Sequence, residues 1–487
     1  MRVLLINPPR ENELLGNNPA IIDEERGYNP PLGLLYLAGY LEQFTDHRVE
    51  VLDAQVEELS YDALQAEIVR RQPDVVGLTA MTFTLIDVIK TARLVKAANP
   101  STPVVLGGPH VHLFPKETLA FPEVDYLVLG EGEAAFAELL ERIGDPAGLA
   151  QVPGLAFRSR HSERSEGSRA APPDGIVITG IRPLEDDLDR LPFPARHLTP
   201  YHKYSSVIAK RAPITTMFTS RGCPYQCIFC DRPHLGKKFR ARSAKNVVDE
   251  MEECIALGIR EFLVYDDTFT IQRQRVLDIC DEIIRRKLDI GWDIRARVNT
   301  VDEEMLRRLR QARCERIHYG VEAGTDRVLK VLQKGITLEQ ARQAFRATKR
   351  AGISTLAYFM LGSPTETRDD VLQTIAFARE LDPDFVHITI VTPFPGTKLY
   401  FMGLEQGRFS HDFWREFAAN PTPDFQPQYW EEHLTRAELQ ELVTYAYKSF
   451  YGRPGYIVRR LAQVRSPGEL ARKARAGLKV FLMKPGK

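Results

Sequence analysis

Three of the six cysteines fall within eight residues, in Ser220-Arg-Gly-Cys223-Pro-Tyr-Gln-Cys227-Ile-Phe-Cys230-Asp-Arg-Pro-His234. A loop this compact brings three thiols to one small centre, and thiolates select zinc or iron–sulfur. Two metal readings stay open at this point. His234 could complete a Cys3His zinc site, or three ligands on a four-iron cluster could leave one iron free to bind something else. Cys254, Cys280 and Cys314 lie in helical patterns or a turn and read as buried thiols. No cysteine precedes residue 223, so the chain carries no disulfide framework.

The C-x3-C-x2-C spacing, with Phe229 just before its third cysteine, resembles the radical S-adenosylmethionine (SAM) superfamily, and further matches follow in order as far as Thr397. The resemblance implies that Cys223, Cys227 and Cys230 ligate a [4Fe-4S] cluster whose open iron chelates SAM. One electron then cleaves the sulfonium to methionine and a 5′-deoxyadenosyl radical, and Phe229 lies beside the adenine. Tyr265-Asp266-Asp267-Thr268 stands where many members carry a Gly-Gly-Glu that holds the methionyl amine, so Asp266 or Asp267 is the candidate here. Arg295 and Arg297 are candidates for the SAM carboxylate. Glu322, in Tyr319-Gly-Val-Glu-Ala-Gly324, sits where the family often contacts SAM, and Gly362, in Phe359-Met-Leu-Gly-Ser-Pro-Thr-Glu-Thr367, belongs to the adenine-side motif. Taken singly, Glu322 and the aspartates could equally cap helices, and Gly362 could only turn the chain.

These residues need a scaffold, and the chain is long enough to supply several layers. Apolar residues make up 44% and charged residues 27% of 487, with Lys+Arg 65 against Asp+Glu 65. That balance excludes wholesale disorder and a globally basic nucleic-acid binder, so no nucleic-acid partner is expected. No signal peptide or 18-residue apolar run is visible, and a cytoplasmic location is expected. From 213 to 400, strand patterns at Thr215–Ser220, Glu261–Tyr265, Asp293–Val298, Arg316–Gly320, Thr355–Met360 and Phe385–Val391 alternate with helical ones, which predicts a partial (β/α)6 barrel. Residues 1–145 carry another β/α series, with strands at Arg2–Ile6, Val49–Leu52, Val75–Thr79, Val104–Leu106 and Tyr126–Leu129, and predict an α/β, flavodoxin-like, doubly wound parallel sheet. Between them, 146–212 reads as a linker with a hairpin of Leu155–Arg158 and Ile176–Thr179. It includes a polar, Gly/Pro-punctuated insertion over 159–175 expected to be disordered, then a stiff, helix-free connection through Leu191-Pro-Phe-Pro and Thr199-Pro200. Residues 401–487 form a helical, aromatic C-terminal domain.

Ligands of such open sheets sit beyond the carboxyl ends of the strands. There the first domain carries Asn7-Pro-Pro, the Thr79–Thr82 loop, Gly107-Gly108-Pro-His110 and Gly130-Glu131-Gly-Glu133, besides Pro30-Pro31-Leu-Gly-Leu-Leu-Tyr-Leu-Ala38 at the start of its first helix. Together these resemble the cobalamin-binding domain that precedes the radical SAM core in a large subclass. The resemblance implies cobalamin contacts from Asn7, Thr79, Thr82, Gly107, Gly108, Gly130 and Glu131. The Asp-x-His-x-x-Gly stretch of the histidine-ligating cobalamin module reads Asn7-Pro-Pro-Arg-Glu-Asn-Glu-Leu-Leu-Gly16 here, so no histidine reaches cobalt from this loop and base-off cobalamin is expected. His110 and His112 read as surface residues. The bland alternative is a flavodoxin-like domain that has kept its shape and lost its ligand.

The function implied is reductive SAM cleavage followed by modification of an unactivated carbon, first of all C-methylation, with SAM serving as both radical source and methyl donor. An oxidative cyclase or rearrangement enzyme of the same architecture, like the anaerobic porphyrin-ring cyclase, is the second reading, and a zinc-stabilised binding protein the third. No catalytic side chain is assigned. The partners implied are a small-molecule substrate (lipid, terpenoid or tetrapyrrole) and a flavodoxin- or ferredoxin-type electron donor. From Tyr451 to Lys487 ten basic residues stand against one acid, Glu469. That tail forms either an amphipathic helix in peripheral contact with an anionic membrane or a basic helix covering the barrel.

Overall fold

The computed structural model describes residues 1–14, 27–158, 175–230, 236–462, 474 and 477–485. The expected insertion, Gly175 apart, lies outside these residues, as do Gly16, His234 and much of the basic tail.

Period-two alternation builds the first layer. In β1 (Arg2–Asn7), Val3 and Leu5 pack with Leu34, Leu35, Phe136 and Leu139 on one face, while Leu4 and Ile6 join Leu64, Ile68, Leu85 and Ile89 on the other. A strand covered on both faces must be apolar throughout, which is why these strands read as unbroken apolar runs. β2 (Arg48–Asp53), β3 (Val75–Thr79), β4 (Val104–Gly107) and β5 (Tyr126–Val128) join β1 in parallel, in the order β2-β1-β3-β4-β5. β6 (Leu155–Arg158) and β7 (Ile176–Ile178) form the expected hairpin, and it pairs antiparallel with β5 to extend this sheet to seven strands. The three-residue β5 would otherwise present an open edge, and the hairpin covers it. The connection onward was expected to hold no helix. It makes isolated 3₁₀ turns at Leu188–Arg190, Arg196–Leu198 and Tyr201–Lys203, kept apart by Pro192, Pro194 and Pro200.

In the second layer, β8 (Ile214–Met217) ends three residues earlier than its pattern suggested. The chain turns away there, and β9 (Ser220–Arg221) pairs antiparallel with β10 (Arg240–Ala241), so a short ribbon brackets the cysteine loop. β11 (Glu261–Val264), β12 (Gly291–Ala296), β13 (Cys314–Glu322), β14 (Ser354–Leu361) and β15 (Phe385–Ile390) complete an all-parallel open barrel in the order β15-β14-β13-β12-β11-β8. The free edge of β15 is covered by the helix Arg436–Tyr451. The Ile388 N–H donates to the Tyr447 hydroxyl at 2.9 Å and the Val386 N–H to the Tyr451 hydroxyl at 3.2 Å. The next helix, Pro454–Ala462, lays Arg459 2.6 Å from Asp382 and Arg460 3.2 Å from Asp384, so the start of the basic tail covers the barrel. Among the described residues no helix is long and apolar enough to cross a membrane.

One buried charge cluster joins the layers, and a second fastens the connection between them to the barrel. Arg221 of β9 lies 2.9 Å from Glu131 and 2.6 Å from Glu133, and Arg240 of β10 lies 2.9 Å from the other Glu131 oxygen. Behind them Glu250 is held between Arg196 at 2.5 Å and Arg242. Burial alone would push Glu131 and Glu250 up, and the arginines outweigh it and hold both below the ordinary carboxylate range. Removing one partner of a buried ion pair strands the other, at a cost of about 3–5 kcal/mol. Arg221→Met should therefore lower stability by that order in urea unfolding. The double variant R221M/E133Q, which leaves Glu131 paired with Arg240, should recover part of the loss; equal stability of wild type and R221M would show that the clamp holds nothing.

Candidate cluster and cofactor site

The cysteine loop lies at the carboxyl-terminal mouth of the barrel. Cys223, Cys227 and Cys230 stand outside any disulfide and are half-buried, whereas Cys254, Cys280 and Cys314 are buried. Burial pushes the Cys254 and Cys280 thiols up to about 12 and Cys314 well above its ordinary value, which leaves those three chemically inert. The loop is stitched at its centre: the Ile228 N–H donates to the Leu332 carbonyl at 3.1 Å, and its carbonyl accepts from the Leu399 N–H at 2.8 Å. Arg297 stacks 3.7 Å over the Tyr225 ring and places Nη1 3.7 Å from the Cys227 sulfur. Cys223 Sγ is 3.9 Å from Thr268 Oγ1. Three accessible thiols on one loop beside a guanidinium fit thiolate ligation of an iron–sulfur cluster. Among the described residues no three metal-ligating groups are gathered around a single point, so the fit rests on this donor set. His234, the candidate fourth zinc ligand, lies outside them.

The candidates for SAM divide sharply. Asp266 does not face the mouth; it is fully buried and accepts four hydrogen bonds, from the Thr219 N–H and hydroxyl at 2.6 Å each, the Ser220 N–H at 3.0 Å and the Ser220 hydroxyl at 2.5 Å. A carboxylate has about four acceptor positions, so nothing remains for an ammonium, and Asp266 is an anchor of the strand leading to Cys223. Asp267 is half-buried beside it. Arg297, near the cysteines, also donates to the Lys334 carbonyl. Arg295, one strand repeat deeper, lies 3.8 Å over the Tyr265 ring. Glu322 adopts a left-handed backbone (φ 73) where the β13–β14 register shifts, and it receives the Lys334 ammonium at 2.6 Å. Gly320 makes room for that pair, since a Cβ there would sit 2.5 Å from Glu322 Oε1 and 2.8 Å from Lys334 Nζ. Lys334 also stands 5.8 Å over the Phe229 ring. No motif marked Lys334, a lone lysine in a turn that only the fold returns to Glu322. The Gly362 N–H donates to Glu366 at 2.7 Å and the Ser363 N–H at 2.8 Å. Burial nonetheless pushes Glu366 up to about 7.

On the first sheet the candidate residues lie at or beyond the carboxyl ends of β1, β3, β4 and β5. The Ala80 N–H donates to the Gly107 carbonyl at 2.7 Å and the His110 N–H to the Ala80 carbonyl at 3.1 Å, tying the Thr79–Thr82 and Gly107–His110 loops together. Gly108 permits this: its φ is 102, and a Cβ would sit 2.8 Å from the Ala80 carbonyl oxygen. Asn7 donates to Asp53 at 2.7 Å and accepts from Gln55 at 3.3 Å. His110 is not a surface residue. It is fully buried with Nδ1 3.1 Å from the Thr82 hydroxyl, and burial lowers it to about 3, so it is a neutral core histidine; His112 is half-buried. Glu131 is likewise not free for a cofactor, because Arg221, Arg240 and the Glu185 N–H (3.0 Å) engage both its oxygens. Since Arg221 is two residues before Cys223, this pairing sets the carboxyl edge of the first sheet against the root of the cysteine loop.

Two family models match the chain, one described as B12 binding domain over residues 19–140 and one as Radical SAM superfamily over 217–378. An uncharacterized methyltransferase of Pyrococcus horikoshii is 34% identical over 462 residues, 94% of each chain. The anaerobic magnesium-protoporphyrin IX monomethyl ester cyclase of Rubrivivax gelatinosus is 31% identical over 464 residues, 93% of this chain and 77% of that one. Among solved structures, the cobalamin-dependent S-adenosylmethionine radical enzyme OxsB superposes with a TM-score of 0.73 at 18% identity, covering 99% of this chain and 72% of that one, which speaks for the shared fold.

Replacing any one of Cys223, Cys227 or Cys230 by alanine should abolish the reduced four-iron EPR signal of anaerobically reconstituted protein, while Cys280→Ala keeps it; a signal surviving all three loop substitutions would remove these ligands. Glu366, with its folded value raised above the unfolded 4.5, contributes stability that is full below pH 4.5 and is lost as pH rises through about 7. Glu366→Gln should flatten that slope, worth about 3 kcal/mol, in thermal melts between pH 5 and 8. An unchanged slope would place the titration elsewhere.

Proposed function

The chain belongs to the B12-binding-domain branch of the radical SAM superfamily, and from that membership we propose that it is a cobalamin-dependent C-methyltransferase acting on a small molecule. The observation that carries the proposal is the Glu131–Arg221 clamp, by which the carboxyl edge of one sheet and the cysteine loop of the other share a single fixed contact. When bound, the cluster with SAM supplies a 5′-deoxyadenosyl radical and cobalamin supplies the methyl group. Cys223, Cys227 and Cys230 hold the cluster in this reading. Arg297 is the SAM-carboxylate residue, Phe229 and Gly362 border the adenine, and Asp267 is the remaining candidate for the amine. Lys334 holds Glu322 in its strained conformation, so the carboxylate is positioned before SAM arrives. Thr79, Gly107, Gly108 and Gly130 let cobalamin approach the backbone, while Asn7 and Thr82 shape those loops through Asp53 and His110. Water exclusion is the remaining task, since a carbon radical must meet its partner and not solvent. Electrons come from a flavodoxin- or ferredoxin-type donor. A second reading, oxidative cyclisation, has the Rubrivivax relative in its favour.

Anaerobic reconstitution with iron, sulfide, cobalamin, SAM and a low-potential reductant tests this. Mass spectrometry should find 5′-deoxyadenosine and S-adenosylhomocysteine rising together when substrate is added. Deoxyadenosine alone would turn the assignment to the cyclase, and neither product would end both.

A further inference from the structure

The barrel strands separate two kinds of side chain. Those turned toward the helices, such as Ile294, Ile317, Phe359 and Ile388, are buried. Of those turned inward, Arg295, Tyr358, Met360, His387 and Thr389 keep partial exposure, which marks a lumen that water can enter. Neighbouring strands present five polar groups there in two adjacent rows: Tyr265 just past β11, Arg295 on β12 and His318 on β13 in one, and Tyr358 on β14 and His387 on β15 one strand repeat further along in the other. Arg295 and His318 are paired across strands, as are Tyr358 and His387.

The belt is internally ordered. Asp293 Oδ2 lies 3.2 Å from His318 Nε2, and His318 Nδ1 lies 3.0 Å from the Tyr358 hydroxyl. Burial lowers His318 against the pull of Asp293, so the ring is neutral at pH 7. Its Nε2–H then donates to Asp293 and its Nδ1 accepts from Tyr358. The Tyr358 oxygen is thereby left with its lone pairs for Arg295, whose charge nearby opposes the rise that burial gives the phenol. Arg295 is held between that oxygen and the Tyr265 ring at 3.8 Å. Two other lumen cations have carboxylates: Lys334 has Glu322 at 2.6 Å, and Arg316 has Asp293 at 3.7 Å. Arg295 has none among the described residues, and its bond to the Val264 carbonyl is a long one at 3.4 Å.

We propose that this belt is the substrate-recognition surface, with Arg295 receiving an oxyanion of the substrate, a carboxylate or a phosphoryl group, and Tyr358, His318 and Asp293 acting as positioning residues behind it. A guanidinium presents paired donors matched to such groups. The carbon to be modified then lies about one strand repeat higher, ~7 Å, where Arg297 meets Cys227. A pure hydrocarbon would strip water from Arg295 and return no hydrogen bond, so a lipid without an anionic group is a poor substrate. This inference rests on the proposed methyltransferase reading and narrows its substrate class.

The test uses the reconstituted holoenzyme with methyl-labelled SAM and small-molecule extract of the native host, split on an anion-exchange resin at neutral pH. Label transfer should require the retained fraction. Arg295→Gln should raise the apparent KM for that fraction about ten- to a hundredfold, more than it changes kcat, and should lower retention of the active compound by oxidised, non-turning holoenzyme on ultrafiltration. Arg295→Lys should restore part of both, and iron content reports that each variant folds and holds its cluster. Loss of stimulation after phosphatase treatment identifies a phosphoryl group, and loss after methyl esterification a carboxylate. Stimulation only by the unretained fraction, indifference to both treatments, or an unchanged KM and retention in R295Q overturns the belt alone. Wild-type protein that makes no 5′-deoxyadenosine with any fraction overturns the functional reading beneath it.

Discussion

A guanidinium buried between two carboxylates organises this molecule. Arg221 is almost wholly removed from water, and only Glu131 and Glu133 make that tolerable. β9 and β10 have two residues each, too few to hold a ribbon on their own. Because both strands send an arginine to Glu131, the ribbon is pinned from outside, and the cysteine loop it brackets acquires a fixed origin. The same carboxylates close the turn after β5, so one contact orients the cysteine loop and the ligand edge of the first sheet together. Hydrophobic contact is non-directional and could let two such layers slide; a bidentate charge pair sets one register.

Around that contact the strands use their two faces for different work. In the first domain both faces are covered by helices and the sheet is apolar throughout. In the barrel only the outer face is covered, and the inner face collects Arg295, Arg297, Arg316, His318, Glu322 and Tyr358 without loss of core, since Trp292, Ile294, Ile317, Tyr319 and Phe359 alternate with them. Period two in a parallel barrel thus keeps stability and chemistry on opposite sides of the same strands.

That division also explains how far the sequence could be read. The cysteine triplet and both β/α series are local patterns, and they were legible. The pairings that decide which polar residues are free are not local. Glu131 follows a strand in a small-residue loop, as a cofactor ligand would, and only the fold brings Arg221 across to claim it. By resemblance Asp266 is one of two candidates for the methionyl amine, yet the Thr219–Ser220 turn uses all its acceptor capacity. His110 looked exposed beside two glycines and is buried because its loop is tied back to Ala80. The hairpin seemed to belong to the linker because pairing with β5 leaves no trace in either strand's composition.

The reassignment of Asp266 bears on how the site is prepared. Its hydrogen bonds fix Thr219 and Ser220, and Arg275 closes the same turn through the Thr219 carbonyl at 2.6 Å, so the approach to Cys223 is rigid from beneath. Arg297 and the Ile228 stitches restrain the loop around Cys227. Two of the three thiols therefore stand on backbone whose entropy was lost on folding, and in the proposed reading ligation would have only the remaining freedom to remove. Asp266 acts on the cysteine loop through geometry, by fixing the turn from which Cys223 projects.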